Sequence, residues 1–366
     1  MNTALTPFAD QIRAAAAAAA PLRIRGGGSK DFYGQSLVGD LLDTRELRGV
    51  TSYEPSELVV TALAGTPLAE LELLLADKAQ YLPFEPPHFD AGATVGGMVA
   101  AGLSGPARMA SGGVRDYVLG VQMLNGRAQT LQFGGQVMKN VAGYDVSRLM
   151  AGSLGTLGLI TEVSLKVLPK PVAEATVCMT YDQAGALRQL NQWAGKPLPI
   201  NAGCWLQMDG RGQLFVRLRG AAAAVQAACQ QLGGERQDAL QADAFWQSLR
   251  DQTDSFFACA DDLCLWRLSV PDTTGVLMLA GGDTLVEWGG GLRWVKAPSS
   301  QAATLRAAVA DVGGTATLFR RARHEVLAET AVFHPLAPTV QRIHHELKRQ
   351  FDPAGIFNRA RMFAAF

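Results

Sequence analysis

Apolar residues in the first 170 positions come in short bursts separated by glycine-rich turns. Leu22-Arg23-Ile24-Arg25 alternates apolar and polar, as a half-buried strand does, and stops at three consecutive glycines. Further bursts fall at 39–42 and 58–63. From Thr66-Pro67-Leu68 to about Asp77 the period becomes helical, with Leu68, Leu71, Leu74 and Leu75 on one side. Residues 118–124 and 128–133 flank Asn125-Gly126, which predicts a hairpin on a two-residue turn. Residues 159–168 alternate cleanly, with Val163, Leu165 and Val167 on one face, and Pro169-Lys170-Pro171 then reads as a linker.

The texture changes beyond that linker. Residues 203–207 and 213–218 flank Asp209-Gly210-Arg211-Gly212 as a second hairpin, and 221–232 follow as a helix. Strand–strand–helix units suit an antiparallel sheet with helices on one face. Near the end, 338–350 has helical periodicity that directs Val340, Ile343 and Leu347 inward, ahead of Phe351-Asp352-Pro353-Ala354-Gly355-Ile356-Phe357-Asn358. No internal repeat is present.

Composition narrows the function classes. A chain of 366 residues allows two domains, and 48% hydrophobic with 18% charged residues is ordinary for a soluble protein. Basic and acidic residues both number 33, so bulk charge attracts neither a nucleic acid nor an anionic membrane. The five cysteines, Cys178, Cys204, Cys229, Cys259 and Cys264, show no C-x-x-C spacing. A disulfide framework and a cysteine-rich metal site are disfavoured, and a reducing cytoplasm is expected. The alanine run Ala14–Ala20 reads as a helix rather than a leader, because Thr6 can cap it and Pro7 suits its first turn. No run of about 18 apolar residues predicts a membrane span.

Glycine distribution carries the candidate chemistry. Of 39 glycines, 15 lie between Gly92 and Gly158. Three segments stand out: 92–105, with Gly92, Thr94, Gly96, Gly97, Gly102, Ser104 and Gly105; 111–116; and 152–161, with Gly152, Gly155 and Gly158 opening into a strand. With Gly26-Gly27-Gly28 they make four places where bare backbone can offer N–H groups to an anion. The first of the three can also begin a helix with free N–H groups. The set points to one long, flat, phosphate-bearing ligand. Neither G-x-G-x-x-G nor a P-loop occurs, since Gly195-Lys196 runs into Pro197.

These residues resemble the vanillyl-alcohol oxidase/p-cresol methylhydroxylase family of flavoproteins. The resemblance rests on "RGGGS" at 25–29, "GATVGGMVAAGLSG" at 92–105, "KNVAGYDVSRLMAGSLGTLGLITEVSLKVLPKP" at 139–171 and "FDPAGIFN" at 351–358, and it spans the chain. It implies an α+β architecture: a two-lobed PCMH-type FAD-binding domain over 1–171, with lobes of about 1–53 and 54–171; a ferredoxin-like antiparallel cap over 172–335; and a C-terminal tail, 336–366, returning to the FAD domain. It implies FAD as cofactor. Arg25, Gly26, Gly27, Gly28 and Ser29 would wrap the pyrophosphate, and Lys30 would add charge. Gly92, Thr94, Gly96 and Gly97 would take the opposite side, and Gly102, Ser104 and Gly105 would lie near the ring system. Gly152, Ser153, Gly155, Thr156 and Gly158 would line the flavin and ribityl chain, with Ile160 at the adenine end. Lys139, Asn140, Tyr144 and Asp145 match the family and either join the site or brace its last loop.

Within the family the chain is most similar to FAD-binding subunits of glycolate-oxidising complexes. That likeness implies oxidation of glycolate, or D-lactate, to the 2-oxo acid. It also implies a larger FAD-containing glycolate oxidase subunit and an iron–sulfur subunit as partners, with any membrane attachment made through them. Two departures qualify the likeness. Ser29 follows the triple glycine where covalently flavinylated relatives carry histidine, so the FAD is expected to be non-covalent. The histidine-rich segment with which relatives bind metal and abstract a proton is missing. The five histidines are His88, His324, His334, His344 and His345, and His334, with Trp294 and Arg320, is the nearest to a candidate. The sequence singles out no catalytic base. A self-sufficient flavin oxidase and an assembly subunit with structural FAD remain the rival readings. A UDP-N-acetylenolpyruvoylglucosamine reductase shares the FAD lobe, but the terminal motif and hairpin–helix pattern point away from it.

Overall fold

The computed structural model describes residues 3–135, 145–279, 283–323 and 330–364. The chain divides into two units. One comprises Met1–Leu103, Gly113–Pro169 and Pro335–Phe366, and the other Ser104–Gly112 and Lys170–His334.

In the first unit the helix Thr6–Ala18 buries Phe8, Ala9, Ile12 and Ala15. They pack with Leu22, Leu42, Leu124, Leu159, Ile356 and Phe357. The expected Thr6 cap is not formed. Leu5 occupies the N-cap without a side-chain bond, Thr6 is already helical, and a preceding 3-10 turn at Thr3–Leu5 leads in. Strand Leu22–Arg25 pairs in parallel with Asp40–Asp43. On its other side Leu22 bridges Phe357 in parallel, through Leu22 N–H to Ile356 O at 2.7 Å and Asn358 N–H to Leu22 O at 2.9 Å.

The remainder of this unit is built on a five-stranded antiparallel sheet in the order Val50–Glu54, Val59–Leu63, Leu159–Lys166, Val118–Leu124, Thr130–Gly134. Val60, Ala62, Val163 and Leu165 turn one face toward the helices Leu68–Ala76 and Val95–Ala101, whose Leu68, Leu71, Leu75, Val95 and Met98 complete the core. The hairpin at Asn125 forms, but not on two residues. Asn125 Oδ1 accepts the N–H groups of Arg127 and Gln129, widening the connection to residues 125–129. Gly126 meanwhile lies against Asp352, where a Cβ would come within 2.6 Å of Oδ1. A side chain outside the hairpin therefore helps select its turn.

The second unit carries an eight-stranded antiparallel sheet in the order Glu235–Arg236, Ala173–Thr180, Arg211–Gly220, Ile200–Met208, Thr284–Glu287, Leu292–Ala297, Cys264–Ser269, Thr315–Arg320. The hairpin at Asp209-Gly210 and the helix Ala222–Leu232 fall where the periodicity placed them. Gln183–Ala194 and Ala222–Leu232 cover one half of the sheet, packing on Val177, Val216, Leu218 and Val286. Ala302–Ala310 covers Trp266, Leu268, Val295 and Leu318 in the other half. Segment Ser104–Gly112 belongs to this unit: Gly105 O accepts from Trp288 Nε1 at 3.0 Å, and the Arg108 guanidinium lies 4.5 Å over the Trp288 ring.

The last helix, Pro338–Phe351, forms as expected but does not bury its apolar stripe as expected. Val340 and Ile343 are 42% and 51% exposed, and Leu347 is half-buried. Periodicity identifies an apolar face but not what covers it. The helix is anchored by its final turn, where Lys348, 6% exposed, donates to Thr156 O at 2.8 Å, Phe357 O at 2.8 Å and Asp352 Oδ2 at 2.6 Å. Asp352 in turn accepts the N–H groups of Ile356 and Phe357. Burial pulls the Lys348 pKa below its ordinary value, and Asp352 opposes that shift. Removing one member of such a pair leaves the other charged and unpaired, a loss of about 3–5 kcal/mol. Asp352→Ala is expected to lower unfolding stability by about that amount. Urea denaturation followed by fluorescence measures it; a cost under about 1 kcal/mol, the range of exposed pairs, would contradict the buried-pair account.

Candidate cofactor-binding site

The first glycine loop begins where strand Leu22–Arg25 ends. Gly28 takes a left-handed φ of +82°, a conformation that favours glycine. The other two glycines are bare for a different reason. A Cβ on Gly27 would stand 1.6 Å from Gly92 O, and one on Gly26 would stand 2.5 Å from Thr94 Oγ1. The first loop thus presses directly on the second, and protein fills the space that side chains would take. What remains available is backbone: among the described residues, no backbone acceptor takes the N–H of Gly26, Gly27, Gly28 or Ser29. Four successive N–H groups of this kind are suited to receive an anion.

The second loop is fixed by its own helix. Thr94 caps Val95–Ala101, its Oγ1 accepting from Gly97 N–H at 3.2 Å, and Gly96 N–H bonds to Ala64 O at 2.7 Å. The third loop is joined to the end of that helix, Gly152 N–H donating to Val99 O and Leu154 N–H to Ala100 O. Thr156 Oγ1 closes it on Ser153 O at 2.8 Å.

These loops surround a cleft with about 750 Å³ of unfilled space, its open mouth included. Of the expected residues, Arg25, Gly26, Gly27, Gly28, Ser29, Lys30, Thr94, Gly96, Gly97, Gly155, Gly158 and Ile160 line it. Gly92, Gly102, Gly152, Ser153 and Thr156 stand behind the lining: Gly92 supports Gly27, and a Cβ on Gly102 would lie 2.7 Å from Gly152 N. Ser104 and Gly105 are not on this cleft but belong to the second unit. Lys139, Asn140 and Tyr144 lie outside the described residues, and Asp145 caps the short helix Val146–Leu149. Sequence reasoning missed Asp31, Leu154, Asn358 and Arg361, all on the lining. Arg25 Nε pairs with Asp31 at 2.7 Å, and Lys30 Nζ reaches Ser29 Oγ at 3.1 Å. Three cations against one carboxylate leave the cleft electropositive, as a diphosphate requires.

No described histidine joins this cleft. His88 Nε2 bonds to Glu72 at 2.9 Å, His344 stacks edge-on against Phe363, and His324 lies outside the described residues. His334 Nδ1 accepts from Ala316 N–H at 3.3 Å, which requires that nitrogen to be unprotonated. Burial, and secondarily Arg306, lower its pKa below 6.5. Trp294 Nε1 donates to Glu287, and burial lowers the pKa of Arg320.

Residues 8–134 match the FAD binding domain family. A solved alkyldihydroxyacetonephosphate synthase shares the fold, with TM-score 0.67 and 15% identity over 96% of this chain and 74% of its own. With the cleft, these findings define an FAD-binding flavoprotein of the PCMH-type architecture, an FAD-dependent oxidoreductase. More particularly, the chain belongs to the family of glycolate oxidase subunit GlcE: the Escherichia coli (strain K12) member is 43% identical over 355 residues, 97% of this chain and 96% of its own. Glycolate oxidase subunit GlcD of Bacillus subtilis (strain 168) is 29% identical over 46% of this chain and 36% of its own. D-lactate dehydrogenase of Anaerostipes hadrus is 33% identical over 39% of this chain and 30% of its own.

Gly27→Ala forces the first two loops apart and is expected to weaken FAD binding at least about tenfold, near 1.4 kcal/mol, read by flavin fluorescence titration of the apoprotein. For His334 the folded pKa is lowered, so its contribution is complete above pH 6.5 and is lost as pH falls through the lowered value. Urea midpoints are expected to fall between pH 7.5 and 5, and to fall less in His334→Gln, which keeps an acceptor but cannot titrate. An equal fall in both would remove His334 from the account.

Proposed function

We propose that this chain is the FAD-carrying subunit of a complex that oxidises glycolate, or D-lactate, to the 2-oxo acid. Its whole-length likeness to a glycolate oxidase subunit is the observation that carries the reading. A partial likeness to a second glycolate oxidase subunit and to D-lactate dehydrogenases supports the substrate class.

The chain's own residues fit the cofactor. The N–H groups of Gly26 through Ser29 bind the pyrophosphate, with Arg25, Lys30 and Arg361 setting the local charge. Gly155, Gly158 and Ile160 offer backbone along the remaining wall. Bound there, FAD supplies the hydride acceptor that none of the twenty side chains provides. Ser29 has no imidazole with which to bond the flavin, so the cofactor is held non-covalently. Among the described residues no group of three or more His, Cys, Asp or Glu could hold a metal ion. We assign the hydroxy-acid chemistry to the larger FAD-containing subunit and onward electron transfer to an iron–sulfur subunit. No helix among the described residues is long and apolar enough to cross a membrane, and membrane contact would be made by partners.

Acid precipitation is expected to leave the protein pellet white and the flavin in the supernatant. The isolated chain should show no glycolate-dependent dye reduction, whereas the complex purified from its own cell should reduce the dye and show flavin peaks with a broad iron–sulfur shoulder. Turnover by the single chain would favour a self-sufficient oxidase instead.

A further inference from the structure

The C-terminal tail enters the cofactor cleft at two points. Asn358 uses one amide to connect two walls: Oδ1 accepts Ile24 N–H at 2.8 Å, just ahead of the first glycine loop, and Nδ2 donates to Leu154 O at 2.6 Å in the third. Its φ of +38° lies in the left-handed region, which asparagine tolerates better than most residues. The close fit extends to Gly155, where a Cβ would stand 2.7 Å from Asn358 Nδ2.

Three residues later Arg361, 4% exposed, inserts its guanidinium among the carbonyls of the segment that follows the first loop. Nη2 donates to Asp31 O at 2.9 Å, Tyr33 O at 2.5 Å and Lys30 O at 3.3 Å, and Nη1 donates to Gln35 O. Among the described residues no carboxylate bonds to it. Burial lowers its pKa to about 10, with Asp31 and Tyr33 opposing, so it stays charged at neutral pH. Asp31, which is paired with Arg25, offsets part of this charge, and Arg361 still adds a buried cation to the lining of the cleft.

We propose that Asn358 and Arg361 are positioning residues for the cofactor: Asn358 sets the spacing of the first and third loops, and Arg361 holds the turn that presents the four free N–H groups while adding fixed positive charge for the diphosphate. This rests on the cleft being the FAD site. The tail is thus a third wall of that site, supplied from the opposite end of the chain.

The test measures FAD and ADP affinity for the full-length apoprotein, FAD by flavin fluorescence and ADP by displacement, alongside the thermal midpoint. Arg361→Gln is expected to lose at least tenfold in affinity for both ligands, since the effect lies at their shared diphosphate. Arg361→Lys, which keeps the charge, is expected to recover most of that loss. Asn358→Gly removes the amide while accommodating the left-handed backbone, and it should also weaken FAD at least tenfold. It carries the test alone if Arg361→Gln does not fold. Wild-type-like FAD affinity in Arg361→Gln or Asn358→Gly would overturn the proposal, as would Arg361→Lys no better than Arg361→Gln. An FAD loss without an ADP loss would overturn the role at the diphosphate. Failure of the wild-type chain to bind FAD would instead remove the cofactor assignment itself.

Discussion

The first unit depends on the pairing of its last residues with its first strand. Leu22–Arg25 is hydrogen-bonded to Asp40–Asp43 on one side and meets Ile356–Asn358 on the other. Without the tail, the buried Leu22 and the half-buried Ile24 would lose the partners of their N–H groups, beside Ile356 and Phe357, which are both fully buried. Unpaired backbone groups in such a setting cost about 1–3 kcal/mol each. The Lys348–Asp352 pair reinforces the same junction, because Asp352 ties down Ile356 and Phe357 while Lys348 reaches Thr156 O in the third glycine loop. One short segment therefore serves strand, loop and helix together.

That arrangement changes the meaning of the glycines. Glycine-rich loops are often read as space left for a ligand. Here Gly26 and Gly27 are bare because the second loop lies against them, Gly96 because Ala64 does, and Gly158 because the Met123 side chain does. What this contact leaves for the proposed cofactor site is a run of N–H groups with no backbone acceptor among the described residues. Such donors need no reorganisation when an anion arrives, which is the advantage of a rigid cradle over a flexible loop.

The second unit manages buried charge in another way. Arg217 and Arg293 are 2% and 1% exposed within its sheet. Arg217 Nε donates to Asn201 Oδ1 and the guanidinium lies 4.9 Å over the Trp246 ring. Arg293 donates through Nη2 to Thr274 O, and burial brings its pKa down to about 10. The Arg108 and Arg267 guanidinium groups lie 4.5 and 5.2 Å over the Trp288 ring, and the Arg108 contact anchors the Ser104–Gly112 segment to this unit. The sequence places that segment among the glycine motifs, but its aromatic partner lies some 180 residues away.

Local pattern by itself determined the strands near 22–25, 40–43, 59–63, 118–133, 159–166 and 200–220, the helices near 6–18, 68–76, 222–232 and 338–351, and the glycine loops, because alternation, helical period and turn residues act within a few positions. It also determined Ser29 and the missing metal-ligand histidines, which are matters of residue identity. Only the tertiary structure decided that Val340 and Ile343 stay exposed, that Asn125 opens a five-residue connection, and that Ser104 and Gly105 group with the second unit and not on the lining of the cleft. It alone brought in Asn358 and Arg361, whose partners are more than 200 and 300 residues distant along the chain. Contacts at that separation leave no periodic trace in sequence: they arise when two surfaces, each locally ordinary, are brought together by the packing of everything between them.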